Sequence, residues 1–177
     1  MGKIRSMTLV DAPVERCFQL SLSVDLHKAA TGEAAIAGVT EGLIGPGSRI
    51  TWQGRGKTSE SLVSAWRPFI YFREVLTAGW FQTYQHDHHF APMNDGTRIR
   101  DEIEFTLPKG FTARLAFRFF IRKRLVRLLK QRNAMIKSVA ESEEWHRYLD
   151  GQPEIDRRVY QAITPPFAEK AKPAYAD

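Results

Sequence analysis

The stretch YQHDHHFAPMNDGTRIRDEIEFTL, residues 84–107, decides the fold. Tyr84, His86, His88 and Phe90 alternate along it, so on a strand they share one face; Ile99, Asp101, Ile103 and Phe105 do the same further on. Asp95-Gly96 between two alternating segments is the strongest hairpin signal in the chain. Closing that hairpin sets Asp101 opposite His88 or Phe90, depending on the length of the turn. The aromatic and aliphatic members turn this face toward a core, and the two histidines and Asp101 go with them. On the preceding strand Phe72, Glu74 and Leu76 share a face by the same rule. Two carboxylates and two imidazoles therefore gather on an apolar surface, where ionisable groups must be paired or shift their pKa.

Working outward, residues 34–107 read as about six strands, separated by Gly45-Pro46-Gly47, Gly54-Arg55-Gly56, Arg67-Pro68, Ala78-Gly79 and Asn94-Asp95-Gly96. The connections are too short for parallel crossovers, so the strands are antiparallel neighbours. Lys3 to Val10 adds a first strand. Asp11 is a candidate N-cap for a helix over Val14 to Ser21, and a second short helix runs from Val24 to Thr31, stopped by Gly32. After Pro108-Lys109-Gly110 there is no Gly or Pro until Gly151, which predicts about forty helical residues to Leu149, one helix of about 55–60 Å or two with a bend. The expected fold is α+β: a curved seven-stranded antiparallel sheet wrapped around a long C-terminal helix, with two short helices after the first strand. Residues 1–150 form the expected domain, and 151–177 a Pro-containing tail, extended or disordered. One helix cannot cover the concave face of seven strands, which leaves a cavity between them.

The 177 residues are 43% apolar and 26% charged, the balance of an ordinary globule. A single cysteine, Cys17, excludes an internal disulfide and a Cys-based zinc site. With no apolar run of membrane-spanning length and no secretory-type N-terminus, a cytoplasmic location is expected. The net charge of +6 is unevenly spread. Residues 111–140 hold nine basic and no acidic side chains, leaving 17 basic against 20 acidic elsewhere. Phe117, Ile121, Leu125, Leu128, Met135 and Val139 form an apolar stripe on this helix, widened by Leu115, Phe119, Val126 and Leu129, with Arg118, Arg122, Arg124, Arg127 and Lys130 around it. The simplest reading is a core helix with a solvated cationic face. Peripheral contact with an anionic membrane is the second, and nucleic acid is disfavoured because no aromatics interleave with the cations.

Several local patterns occur in one order: Gly47-x-x-Ile50-Thr51-Trp52, Phe72-Arg73-Glu74, Gly79-x-Phe81, His86-x-His88-x-Phe90, Gly96-Thr97-Arg98-x-x-Asp101-Glu102, Leu107-Pro108-x-Gly110 and Arg132-Asn133-x-x-Ile136-Lys137. Together they resemble the START-like, or Bet v 1-like, superfamily of polyketide cyclase/dehydrase-like helix-grip proteins. More narrowly, they resemble its bacterial ligand-binding branch, some of whose members are labelled cell-division inhibitors. The resemblance covers residues 3–149 and departs from the family pattern after Arg55, at Gly56-Lys57-Thr58, on one cavity rim. It implies an internal pocket for a lipid, sterol-like, aromatic or polyketide-like molecule. Because the superfamily contains carriers and catalysts, a cyclase, dehydratase or aromatase acting in the same cavity is the alternative.

Candidate cavity-lining residues are Trp52, Glu74, Tyr84, His86, His88, Phe90, Asp101, Ile103, Phe105 and Leu125. The polar four among them read as a structural cluster, a ligand anchor or an acid/base pair. No catalytic residue is assigned and no cofactor is expected. His86 and His88 could reach one metal ion, but His89 points to the opposite face, and Pro92 and Met93 stand where a cupin-like pattern places its glutamate. No metal is expected. Neither a nucleophile elbow nor a phosphate-binding or dinucleotide loop is present.

Overall fold

The chain enters as strand β1 (Gly2–Val10), turns through helices α1 (Val14–Leu22) and α2 (Val24–Thr31), and returns as β2 (Ala34–Gly38). Four hairpin-linked strands follow β3 (Arg49–Gly54): β4 (Lys57–Arg67), β5 (Tyr71–Ala78), β6 (Thr83–Met93) and β7 (Gly96–Thr106). Helix α3 (Phe111–Ala140), a 3-10 turn (Glu143–Trp145) and helix α4 (His146–Leu149) complete the fold. This computed structural model describes residues 1–54, 57–108 and 111–157, with only the helical backbone over 111–119. The expected Gly54-Arg55-Gly56 turn, the side chains of the helix stripe before Phe120 and the tail beyond Arg157 fall wholly or partly outside the described residues.

All seven strands form one antiparallel sheet in the order β1-β7-β6-β5-β4-β3-β2. The two strands separated by α1 and α2 thus lie at opposite edges, and the helices carry the chain from one edge to the other. In the central hairpin His88 pairs with Asp101, and Glu74 of β5 pairs with His86. Met93 pairs with Gly96, so the turn residues are Asn94 and Asp95, and Gly96 already belongs to β7. Glycine is required at 96 by crowding: a Cβ there would sit 2.2 Å from the carbonyl oxygen of Val10.

Phe18 of α1 is the hub of the main core, with Trp66, Phe72 and Phe90 edge-on to it at ring-centroid distances of 5.2, 5.8 and 5.1 Å. The C-terminal half of α3 seals this cluster with Ile136, Val139 and Ala140, all fully buried. A smaller cluster joins Ile4, Ile103, Phe105 and Leu129.

One local expectation is corrected. Asp11 does not cap α1: Pro13 occupies the N-cap without a side-chain bond, and the Asp11 N–H instead donates to Glu141 Oε1 at 2.8 Å. Of the two forms expected for the helical region, the structure takes the broken one, ending at Leu149. α3 ends at Ala140, a length of about 45 Å at 1.5 Å per residue, and the Ser142 hydroxyl accepts from the Glu144 N–H to start the next turn.

Candidate functional site

Between the concave sheet face and α3 lies a cavity of about 840 Å³, within the range of small-molecule sites. Strands supply Trp52, Ser61, Glu74, Tyr84, His86 and Ile103; α3 supplies Ile121, Leu125, Leu128 and Leu129. The indole N–H of Trp52 donates to Ser61 Oγ at 3.1 Å, which satisfies the ring's polar edge and leaves its face to the apolar side. His27 covers that ring at 4.2 Å between centroids. At the mouth stand Lys57, Lys123, Arg124 and Arg127 with two exposed aromatics, Phe120 at 78% and Trp80 at 44% exposure.

Of the ten residues expected to line the cavity, Trp52, Glu74, Tyr84, His86, Ile103 and Leu125 do so. The other four share the predicted strand faces but stand outside its lining. Phe90 is covered by Phe18 of α1, and Phe105 packs edge-on to Phe81 at 5.6 Å. His88 stacks on Phe72 at 4.1 Å, and both it and Asp101 have 0% exposure. Strand alternation reveals which way a side chain points, whereas the cover above it depends on which helix lands there.

The four polar residues do meet. His86 Nε2 lies 3.0 Å and His88 Nδ1 2.8 Å from the same oxygen, Asp101 Oδ1. Asp101 Oδ2 accepts from Asn133 Nδ2 at 2.7 Å. Arg132 Nη1 approaches His88 Nδ1 at 3.3 Å, while Nη2 donates to the Ser21 carbonyl at 2.6 Å. Glu74 Oε2 is 3.4 Å from His88 Nε2, a nitrogen that has no hydrogen-bond partner. Arg132 and Asn133 are the members missed by the sequence reading of the cluster. Their signal was an Arg-Asn pair set between Leu128, Leu129 and Ile136 on an apolar helix face.

Burial, reinforced by the neighbouring His88, lowers His86 to about 4, so its imidazole is neutral at pH 7 and donates Nε2–H to Asp101. Burial would raise the Asp101 carboxyl, but the two histidines outweigh it and hold it well below the usual range. Glu74 likewise resists burial through His88, Arg132 and His86 and stays at about 2. The wall therefore offers anionic Glu74 and neutral His86 to the cavity, with Asp101 as their buried counterpart. One ligand atom from each of Glu74, His86 and His88 lies within 4.8 Å of the others.

A seven-stranded antiparallel sheet gripping one long helix around a cavity is the helix-grip, Bet v 1-like fold. Among solved structures, the chain is similar to the di-domain ARO/CYC StfQ from the steffimycin biosynthetic pathway (TM-score 0.65, 12% identity, 80% of this chain and 51% of that one). It is also similar to TTHA0849 from Thermus thermophilus (TM-score 0.59, 18% identity, 78% and 99%). A third similar structure is Ara h 8.0201 (TM-score 0.53, 11% identity, 77% and 98%). No family model and no curated protein matches the chain.

Proposed function

We propose that this chain binds and carries a hydrophobic small molecule, of lipid, sterol-like, aromatic or polyketide-like chemistry, between the sheet and α3. The observation that carries the reading is the cavity itself: about 840 Å³, walled by aliphatic and aromatic side chains, with Glu74, His86 and Tyr84 on one wall. Such a site takes an apolar body and orients it by a few polar groups. Residues 1–150 are the ligand-binding unit in this reading, and residues 151–177 a tail. The lone buried thiol of Cys17 suits a reducing, cytoplasmic setting.

The rim supports a refinement. Exposed Phe120 and Trp80 beside Lys57, Lys123, Arg124 and Arg127 suit contact with an anionic membrane from which a lipid could enter. Among the described residues no helix is long and apolar enough to cross a membrane. A second reading, a cyclase, dehydratase or aromatase, is favoured by one observation: a neutral imidazole and a carboxylate stand together on the cavity wall. The likeness to StfQ, an ARO/CYC di-domain protein, points the same way.

Native mass spectrometry of the purified chain, followed by extraction, tests the carrier reading. A co-purifying apolar molecule that returns to the stripped protein chemically unchanged is the expected result. Conversion of that molecule on rebinding replaces carriage with catalysis.

A further inference from the structure

We propose that the wall formed by Glu74, Tyr84 and His86 selects apolar ligands that carry an alcohol or phenol hydroxyl. This rests on the carriage reading and narrows its ligand class: the cavity holds the apolar body, and the wall takes a group that both donates and accepts a hydrogen bond.

Tyr84 and His86 are alternate residues of β6 and share a face, and Glu74 of β5 is paired with His86. The three stand side by side, with Tyr84 diagonal to Glu74, and all of them line the cavity. Their hydrogen-bonding capacity is only partly used. Glu74 has 19% of its side chain exposed against 0% for His88 and Asp101, so it is the carboxylate of the cluster that a ligand can reach. His88 Nε2 stands 3.4 Å from Glu74 Oε2, long for a hydrogen bond, which leaves the carboxylate with acceptor capacity to spare. His86 donates Nε2–H to Asp101, which makes its Nδ1 a second acceptor. Among the described residues the Tyr84 hydroxyl has no hydrogen-bond partner, and burial together with the nearby Glu74 carboxylate keeps it protonated, as a donor.

A ligand hydroxyl answers both kinds of group at once: its hydrogen goes to Glu74 and its oxygen accepts from Tyr84. A ketone or an ether brings only an acceptor and leaves Glu74 stripped of water without a donor, a costly outcome for a charged group. An ammonium brings only donors and leaves the Tyr84 O–H unmet. A carboxylate would meet Glu74 with like charge, and the cation that could offset it is engaged: Arg132 holds the Ser21 carbonyl through Nη2 and approaches His88 Nδ1 through Nη1. Acids are suited instead to the mouth, where Lys57, Lys123, Arg124 and Arg127 stand.

The test compares matched probes on the full chain: hydroxypyrene with methoxypyrene, titrated by their own fluorescence, and decanol with decyl methyl ether, as competitors for an apolar fluorescent probe. The hydroxyl member should bind roughly tenfold more tightly, the scale of one hydrogen bond to a charged acceptor. In Glu74→Met the preference should shrink to about twofold or less, with the affinity for the methoxy member kept. Tyr84→Phe should weaken the hydroxyl member severalfold, and it decides the question if thermal melts show that Glu74→Met fails to fold. Equal binding within both pairs, a preference kept in folded Glu74→Met, or hydroxyl binding undiminished in Tyr84→Phe overturns the proposal and leaves carriage standing. The absence of saturable binding by any of these probes removes carriage and the proposal together.

Discussion

Asp101 carries the polar cluster because a carboxylate offers acceptors in two directions. One oxygen serves the histidines of β6 and the other serves Asn133 of α3, so a single side chain ties sheet to helix. Asp101→Asn keeps the shape but turns one acceptor into a donor, facing either the His86 N–H or the Asn133 amide. Unfolding in denaturant should show a loss of about 3 kcal/mol, the scale of a broken buried pair. Glu74→Gln, at the cavity wall, should stay within about 1 kcal/mol of the parent. Equal losses in the two variants would contradict the division between a buried support and a cavity-facing group. The partnership of Asp101 with His88 was legible in the sequence, since period-two alternation and the short turn allowed only His88 or Phe90 opposite it. That Asp101 is sealed off was not legible. Its seal includes Asn133, which reaches it only when α3 packs across the sheet.

At the scale of elements, α3 has two halves with different roles. Ile136 is fully buried beneath α1, whereas Leu125 borders the cavity and is only partly buried. Ile136→Ala should cost about 2–5 kcal/mol, the usual range for opening a hole in a packed core. Leu125→Ala should cost clearly less in the same denaturant titration and instead alter the affinity for apolar probes. A second link joins the cavity-facing half to α2. Glu33, just beyond α2, lies 3.4 Å from His27 and 3.6 Å from Arg124. Its carboxyl is lowered by His27 first and by Arg124, against the opposing effect of burial. An acid with a depressed folded pKa adds stability that is present above its unfolded value, about 4.3, and lost as pH falls through the lower folded value. Glu33→Gln should therefore cost about 0.2–1 kcal/mol at pH 7 and flatten the acid limb below about pH 4, as read from stability against pH. The helices after β1 were legible through their apolar spacing and Gly32. The end of α3 was not, because no Gly or Pro marks it: the stop lies in the Ser142 hydroxyl, which serves the next turn.

For the whole molecule, the sheet order follows from short antiparallel connections and the cavity from a single helix set against seven strands; both could be read from the sequence. The cavity's boundary could not, since it depends on where α1 covers Phe90 and where Phe81 covers Phe105. The charge distribution leads to a prediction on the same scale. Cations of α3 beside the cavity mouth should make vesicle binding depend on anionic lipid and weaken as salt rises through the physiological range, where the Debye length is about 8 Å. Equal sedimentation with neutral and anionic vesicles would leave the cationic face as a solvated surface only. The central claim is that the space beneath α3 holds an apolar ligand. Titration of the parent and of Leu125→Trp with an apolar fluorescent probe tests it most directly, with thermal melts showing that both are folded. The account predicts saturable single-site binding to the parent, displacement by a fatty acid or an aromatic polycycle, and loss of binding in the folded variant whose cavity is filled. Non-saturable binding to the parent, or equal binding by parent and folded variant, would contradict it.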